Sequence, residues 1–148
     1  MVKKITIATI VILIIYMLFG IPLTNNYIAY NITKNLKSIE LPPDTSLVET
    51  VSAAGKLVGN GNGMQYFGAM LLKSDLSVVE LMEFYKGKNS ESYQYTVETQ
   101  KDSNIQTIDH GNISFSEISD EDTSNRYYIV YAWGESSFFL RDFDLRAH

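Results

Sequence analysis

The chain of 148 residues has no cysteine. That absence excludes a disulfide framework, a thiolate nucleophile, a cysteine-ligated zinc or iron–sulfur site and a lipidated cysteine, since each needs a thiol. Histidine is nearly as scarce. Only His110 and His148 are present, so no histidine pair stands at ligand spacing, and no metal or cofactor is implied. Positive charge is short in the second part of the chain. From Ser38 onward there are 8 Lys or Arg against 17 Asp or Glu, a formal charge of −9, compared with −5 for the whole chain. A surface this acidic repels phosphate backbones, so nucleic-acid binding is not expected. Internal repeats and low-complexity runs are also absent.

What the sequence does have is a concentrated apolar start. Seventeen of the first 23 residues are apolar, and the run that begins at Ile5 and ends at Leu23 carries no charge. As a helix it covers about 28 Å, close to the roughly 30 Å of bilayer hydrocarbon. It is therefore expected to span a membrane. Lys3 and Lys4 precede the run and the next cations are Lys34 and Lys37, which points to a cytoplasmic N-terminus (residues 1–4) and an outer domain. Tyr27 and Tyr30 suit the outer headgroup layer. A cleaved secretory signal fits the same flanks, but a signal core is usually shorter, and Phe19-Gly20-Ile21-Pro22-Leu23 offers no small-residue cleavage site. Ile28, Ile32 and Leu36 recur at helical spacing, so residues 24–41 read as a stalk or linker that Pro42 and Pro43 terminate. Residues 42–148 are left for one domain.

Within that domain, residues 47–58 and 64–73 read as two strands around an Asn/Gly turn, the arrangement of a hairpin. The second strand places Met64, Tyr66, Gly68, Met70 and Leu72 on one face and Gln65, Phe67, Ala69 and Leu71 on the other. Ser77-Val78-Val79-Glu80 is a capping box flanked by Leu76 and Leu81 as a hydrophobic staple. Val78, Leu81, Met82 and Tyr85 give the short helix one apolar face, and Gly87 between Lys86 and Lys88 stops it. Three further strands are expected: around Tyr93 to Thr99, at Ile113 and Phe115, and from Tyr127 to Trp133. Phe138 to Leu145 reads equally as a last strand or a tail. The fold class is α+β: one transmembrane helix, then a mainly antiparallel sheet with one short helix on a face, in the order β-β-α-β-β-β.

Chemistry is sparsely marked. Gly59, Asn60, Gly61, Asn62 and Gly63 could converge backbone N–H groups on an anion. However, no Lys-Ser/Thr follows them, and a strand follows where a nucleotide fold needs a helix. A structural hairpin loop is the simpler reading. His110 stands in a turn beside Asp109, with no G-x-S-x-G at any serine. Asp120, Glu121, Asp122 and Asn125 are hard oxygen donors without EF-hand spacing, and read as a solvated turn. Asp142 and Asp144 are two apart, and Glu80 and Glu83 share a helix, but neither pair has a neighbour that would make it an acid–base pair. The aromatics, among them Tyr66 and Trp133, suit a sheet face first and a ligand platform second.

Three stretches carry a resemblance: L-P-P-D-T-S from Leu41, G-N-G-N-G-M-Q-Y-F-G-A from Gly59, and D-L-S-V-V-E-L-M-E-F-Y from Asp75. Together they resemble small membrane-anchored or lipoprotein-like outer domains of Gram-positive bacteria, in which a proline-marked first strand precedes a hairpin and a short helix ending in Phe-Tyr. The resemblance covers about a third of the chain, is structural, and brings no activity or catalytic residue with it. The chain departs from the lipoprotein members in lacking cysteine. The expected function is a non-catalytic extracytoplasmic domain, held in the plasma membrane by one helix, that binds a protein or an envelope component. The candidate contacts are the 59–63 loop, Tyr66 and Trp133. The alternatives are a small-ligand or anion module built on that loop, and an envelope hydrolase using His110 or Asp142 and Asp144.

Overall fold

The computed structural model describes residues 2–118 and 126–148. The chain opens as a continuous helical rod made of α1 (Val2–Ile15), a π-helical turn (Tyr16–Gly20) and α2 (Ile21–Ser38). The turn explains why Pro22 does not break the rod. A proline inside a helix lacks a donor and crowds the carbonyl four residues back, and a widened turn just ahead of it relieves both problems. Accordingly Ile21 donates its N–H to the Tyr16 carbonyl five residues back. Gly20 leaves room for the Tyr16 ring, whose Cδ2 would lie 2.5 Å from any Cβ at position 20.

The rod has two characters. From Thr6 it is long and apolar enough to cross a membrane, and its large apolar side chains from Ile7 to Phe19 are 43–65% exposed. From Ile21 it becomes part of the folded core. Ile21, Asn25, Ala29, Ile32, Thr33 and Leu36 form a buried stripe, and Thr33 Oγ1 donates to the Val51 carbonyl at 2.9 Å. Residues 24–41, expected as a stalk, are thus mostly a helix layered on the sheet. The difference arises because the buried stripe includes Asn25 and Thr33, which an apolar periodicity does not count.

The sheet has four strands, β1 (Thr45–Gly55), β2 (Gln65–Ser74), β3 (Thr96–Thr99) and β4 (Tyr127–Gly134), with α3 (Val78–Lys86) between β2 and β3. Their order is β1-β2-β4-β3, antiparallel throughout. The class is therefore α+β as expected. The strand expected at Ile113 and Phe115 is reduced to one isolated bridge, Asn104 to Ser114. The acidic turn at 120–125 lies outside the described residues.

β2 and β4 are central and covered on both faces, which is why they read as near-continuous apolar runs. On the helix side Met64, Tyr66, Met70 and Leu72 meet Tyr128, Val130 and Ala132 beneath α2 and α3. On the other side Phe67, Ala69 and Leu71 meet Ile129 and Tyr131, and Ile105, Phe115 and Ile118 from the irregular segment 100–118 close that face. Two polar clamps hold the segment. Gln100 Nε2 donates to the Asp102 and Asn104 carbonyls, and Glu49 accepts from the backbone of Ser116 and Glu117. A register shift between Leu47 and Glu49 leaves Leu47 on the helix side but puts Val51 and Ala53, at even spacing from it, on the other, the re-aiming that bulges perform.

α3 forms as its sequence dictates. Glu80 N–H donates to Ser77 Oγ and Ser77 N–H to Glu80 Oε2, completing the capping box. Ser77 Oγ also donates to Glu80 Oε2 at 2.7 Å, and this bond, followed by that from Ser77 N–H, holds the Glu80 carboxyl below its ordinary range. Its buried side is Leu81 and Tyr85, joined by Val78 and Phe84. Met82, expected on that side, is exposed instead, as is its neighbour Val79.

Candidate functional site

The loop 59–63 connects β1 to β2 as a hairpin, with Gly59 at φ 75° and Gly63 at φ 133°. Both angles lie in the region glycine tolerates best. Two of the loop's donors and three beside it are committed to the protein. Leu57 and Val58 donate to Gln65 Oε1, Gly59 to Asp109 Oδ2, Gly63 to the Ala147 carbonyl and Met64 to Asp142 Oδ1. An anion here would have to displace acceptors that include two carboxylates, a poor electrostatic setting. Asn60 and Asn62 remain exposed at the tip.

The loop is clamped by the C-terminal segment, which is a tail and not a strand. It contains two 3₁₀ turns, Arg141–Phe143 and Leu145–Ala147. The tail lies against the start of α2 through a buried polar network. Asn25 donates to the Arg141 carbonyl at 3.1 Å and to Asp144 Oδ2 at 3.0 Å, and accepts from the Tyr66 hydroxyl at 2.8 Å. Arg146 meets Asp144 with Nε at 3.0 Å and Nη2 at 2.7 Å, while its Nη1 reaches Asn26 Oδ1. Arg141 in turn donates to the Ser136 carbonyl. Burial pushes the Tyr66 phenol up. Desolvation also pushes the Asp144 carboxyl up, but the bonds from Arg146 and Asn25 and the Arg146 charge outweigh it, and the group is held below its ordinary value.

A depressed folded pKa means that Asp144 contributes stability above its unfolded value, about 3.9, and that this contribution is lost as pH falls through the lower folded value. Asp144→Asn is therefore expected to cost about 2 kcal/mol at pH 7, the partly exposed Arg146 moderating the effect. It should also flatten the loss of stability below about pH 4. Urea melts of both proteins at pH 7 and on the acid side of pH 4 check this; identical curves would remove Asp144 from the clamp.

The remaining sequence candidates do not assemble. Tyr66 points under α2, whereas Trp133 lies on the opposite sheet face with its ring 5.0 Å from Phe67. The two do not share a surface with each other. His110 bonds through Nε2 to the Gly59 carbonyl. Asp142 holds the Met64 amide and Asp144 holds Asn25 and Arg146, so each has a structural partner. Among the described residues no three His, Asp or Glu side chains converge as a metal site would require.

A different surface does assemble, at the β3 edge. Among the described residues β3 pairs only with β4. Gln100 N–H donates to the Tyr127 carbonyl at 2.8 Å, so by antiparallel alternation Glu98 and Thr96 also face β4, while Val97 and Thr99 turn their backbone groups outward. Two grooves flank Thr96. One, about 480 Å³, runs between α3 and β3 and is lined by Val79, Met82, Lys86 and Tyr95. The other, about 690 Å³, is lined by Tyr93, Gln94, Trp133 and Glu135. Tyr93 and Tyr95 stack at 6.4 Å between them. Trp133 is the one sequence candidate on this surface. The missed signal was Val79 and Met82, two apolar residues three apart on a helix whose core face is already filled.

No family model, curated protein or solved structure matches the chain.

Proposed function

We propose that the protein is a single-pass membrane protein with a cytoplasmic N-terminus and an outer, non-catalytic interaction domain that takes an extended segment of a partner protein along β3. The observation that carries this reading is the open β3 edge between two grooves. An added strand draws affinity from backbone hydrogen bonds and specificity from pockets for alternate side chains, and the exposed Val79 and Met82, with the half-buried Trp133, supply apolar anchors. The membrane part rests on the exposed apolar surface of Ile7 to Phe19, which water does not tolerate at this extent, and on Lys3 and Lys4 ahead of it.

A photo-crosslinking residue at Thr96, in the full chain in its native membrane, is expected to give a discrete protein adduct. Met82→Glu should weaken that adduct by about tenfold, as loss of an anchoring contact does. An adduct from Asn62 with none from Thr96 would move the contact to the hairpin loop. No adduct at either position would overturn the interaction reading.

A further inference from the structure

We propose that the C-terminal segment carrying Phe139, Phe143 and Leu145 is seated in the bilayer surface beside the spanning helix, so that the domain rests on the membrane at two places. This rests on the reading of the rod as membrane-spanning. A bilayer needs about 20 helical residues, or about 30 Å, and the uncharged part of the rod offers only 16, from Ile5 to Gly20, before Ile21, which the domain buries. The helix continues into α2 without a linker. The hydrocarbon therefore extends to the start of the folded domain, and whatever packs around Ile21 and Pro22 lies at the membrane surface.

What lies there is the C-terminal tail. Leu145 and Arg146 line a cavity of about 340 Å³ with Met17, Leu18 and Pro22, the last turns of the exposed apolar run. Arg146 Nη2 also donates to the Pro22 carbonyl at 3.2 Å. Leu145 is 80% exposed, Phe143 59% and Phe139 82%. Three large apolar side chains this open within seven residues are not a water-facing surface, particularly on a tail whose backbone is fixed by Asn25 and Asp144. The adjoining charge is already neutralised, since Arg146 is paired with Asp144. Continuity with the apolar face of Met17 and Leu18 identifies the occupant as lipid, because the same acyl region that covers those two residues reaches Leu145. Aromatic rings at this depth act as interfacial anchors.

The absence of native cysteine makes the test direct. Single cysteines at Leu145, Phe143, Ile12 and Met82 are spin-labelled in the full chain, reconstituted in phosphatidylcholine/phosphatidylglycerol vesicles. Collision rates with oxygen and with a water-soluble nickel chelate are then compared. Met82 is the aqueous reference, because α3 clusters with Leu36, about 22 Å along the helix from Ile21. Labels at Leu145 and Phe143 are expected to resemble Ile12, with nickel collision rates at least about fivefold below Met82. If Ile12 is oxygen-favoured but either tail label is as open to nickel as Met82, the docking proposal is overturned and the spanning helix stands. If Ile12 is itself open to nickel, both fall.

Discussion

Gly68→Val is expected to lower the stability of the folded domain by about 3 kcal/mol, the upper end of what overfilling a core costs. At Gly68 β2 lies directly against α2. A Cβ there would stand 2.8 Å from Ile32 Cβ and 2.8 Å from both the backbone nitrogen and Oγ1 of Thr33. None of these is the end of a flexible chain, so the whole helix would have to move. That would loosen Ile32 and Leu36 from the core and strain the Thr33 bond to Val51. Thr33→Ala should recover only a fraction of the loss, because the backbone nitrogen stays. Gly134→Ala should be milder. Its nearest neighbour is the Ile32 Cδ1 methyl at 2.6 Å, which a rotamer change can move. Chemical denaturation of the three proteins ranks them, and equal losses at 68 and 134 would mean that α2 is not held at a fixed distance from the sheet.

The sheet and α3 were legible because they follow short-range rules. Period-two alternation placed Phe67 and Leu71 opposite Met70 and Leu72, and the same alternation held for Ile129 and Val130, because both central strands are fully covered and every side chain has a defined face. The capping box at Ser77 and Glu80 is a local motif and formed as spelled. What stayed hidden depends on partners distant in sequence. α2 meets the sheet through Ala29, Thr33, Asn25 and two glycines on other strands, and small or polar residues at a close approach leave no hydrophobic signature. The segment around Ile113 and Phe115 alternates like a strand, yet the sheet ends in its order at β3, and these residues serve better as a lid over Phe67 and Leu71.

The candidate site was legible only at Trp133. The glycines of the 59–63 loop suggested a ligand, but the amides of Gly59, Gly63 and the adjoining Met64 serve Asp109, Ala147 and Asp142, contacts that span 50 to 84 residues of sequence. The β3 edge could not be read from sequence at all, since which strand lies at an edge is a property of topology. Met82 was read as part of the core face of α3, and its exposure beside Val79 emerges only once Leu81 and Tyr85 are seen to fill that face.

Removal of α2 has the largest expected effect and bears most directly on the joining of the exposed apolar helix and the domain in one rod. Ile21, Ile32 and Leu36 are essentially fully buried. At about 2 kcal/mol for each large aliphatic side chain, their loss removes about 6 kcal/mol, comparable to the whole stability of many domains. It would also uncover Met70, Tyr66 and Ala132 and strip Asn25 from Asp144. The measurement is thermal and urea unfolding of two soluble fragments, residues 21–148 and residues 39–148. With α2 in the core, the longer fragment unfolds in one cooperative transition and the shorter one shows none. A cooperative transition of 39–148 at the same midpoint as 21–148 would contradict this, and would make residues 21–38 a stalk outside an independently folded sheet domain.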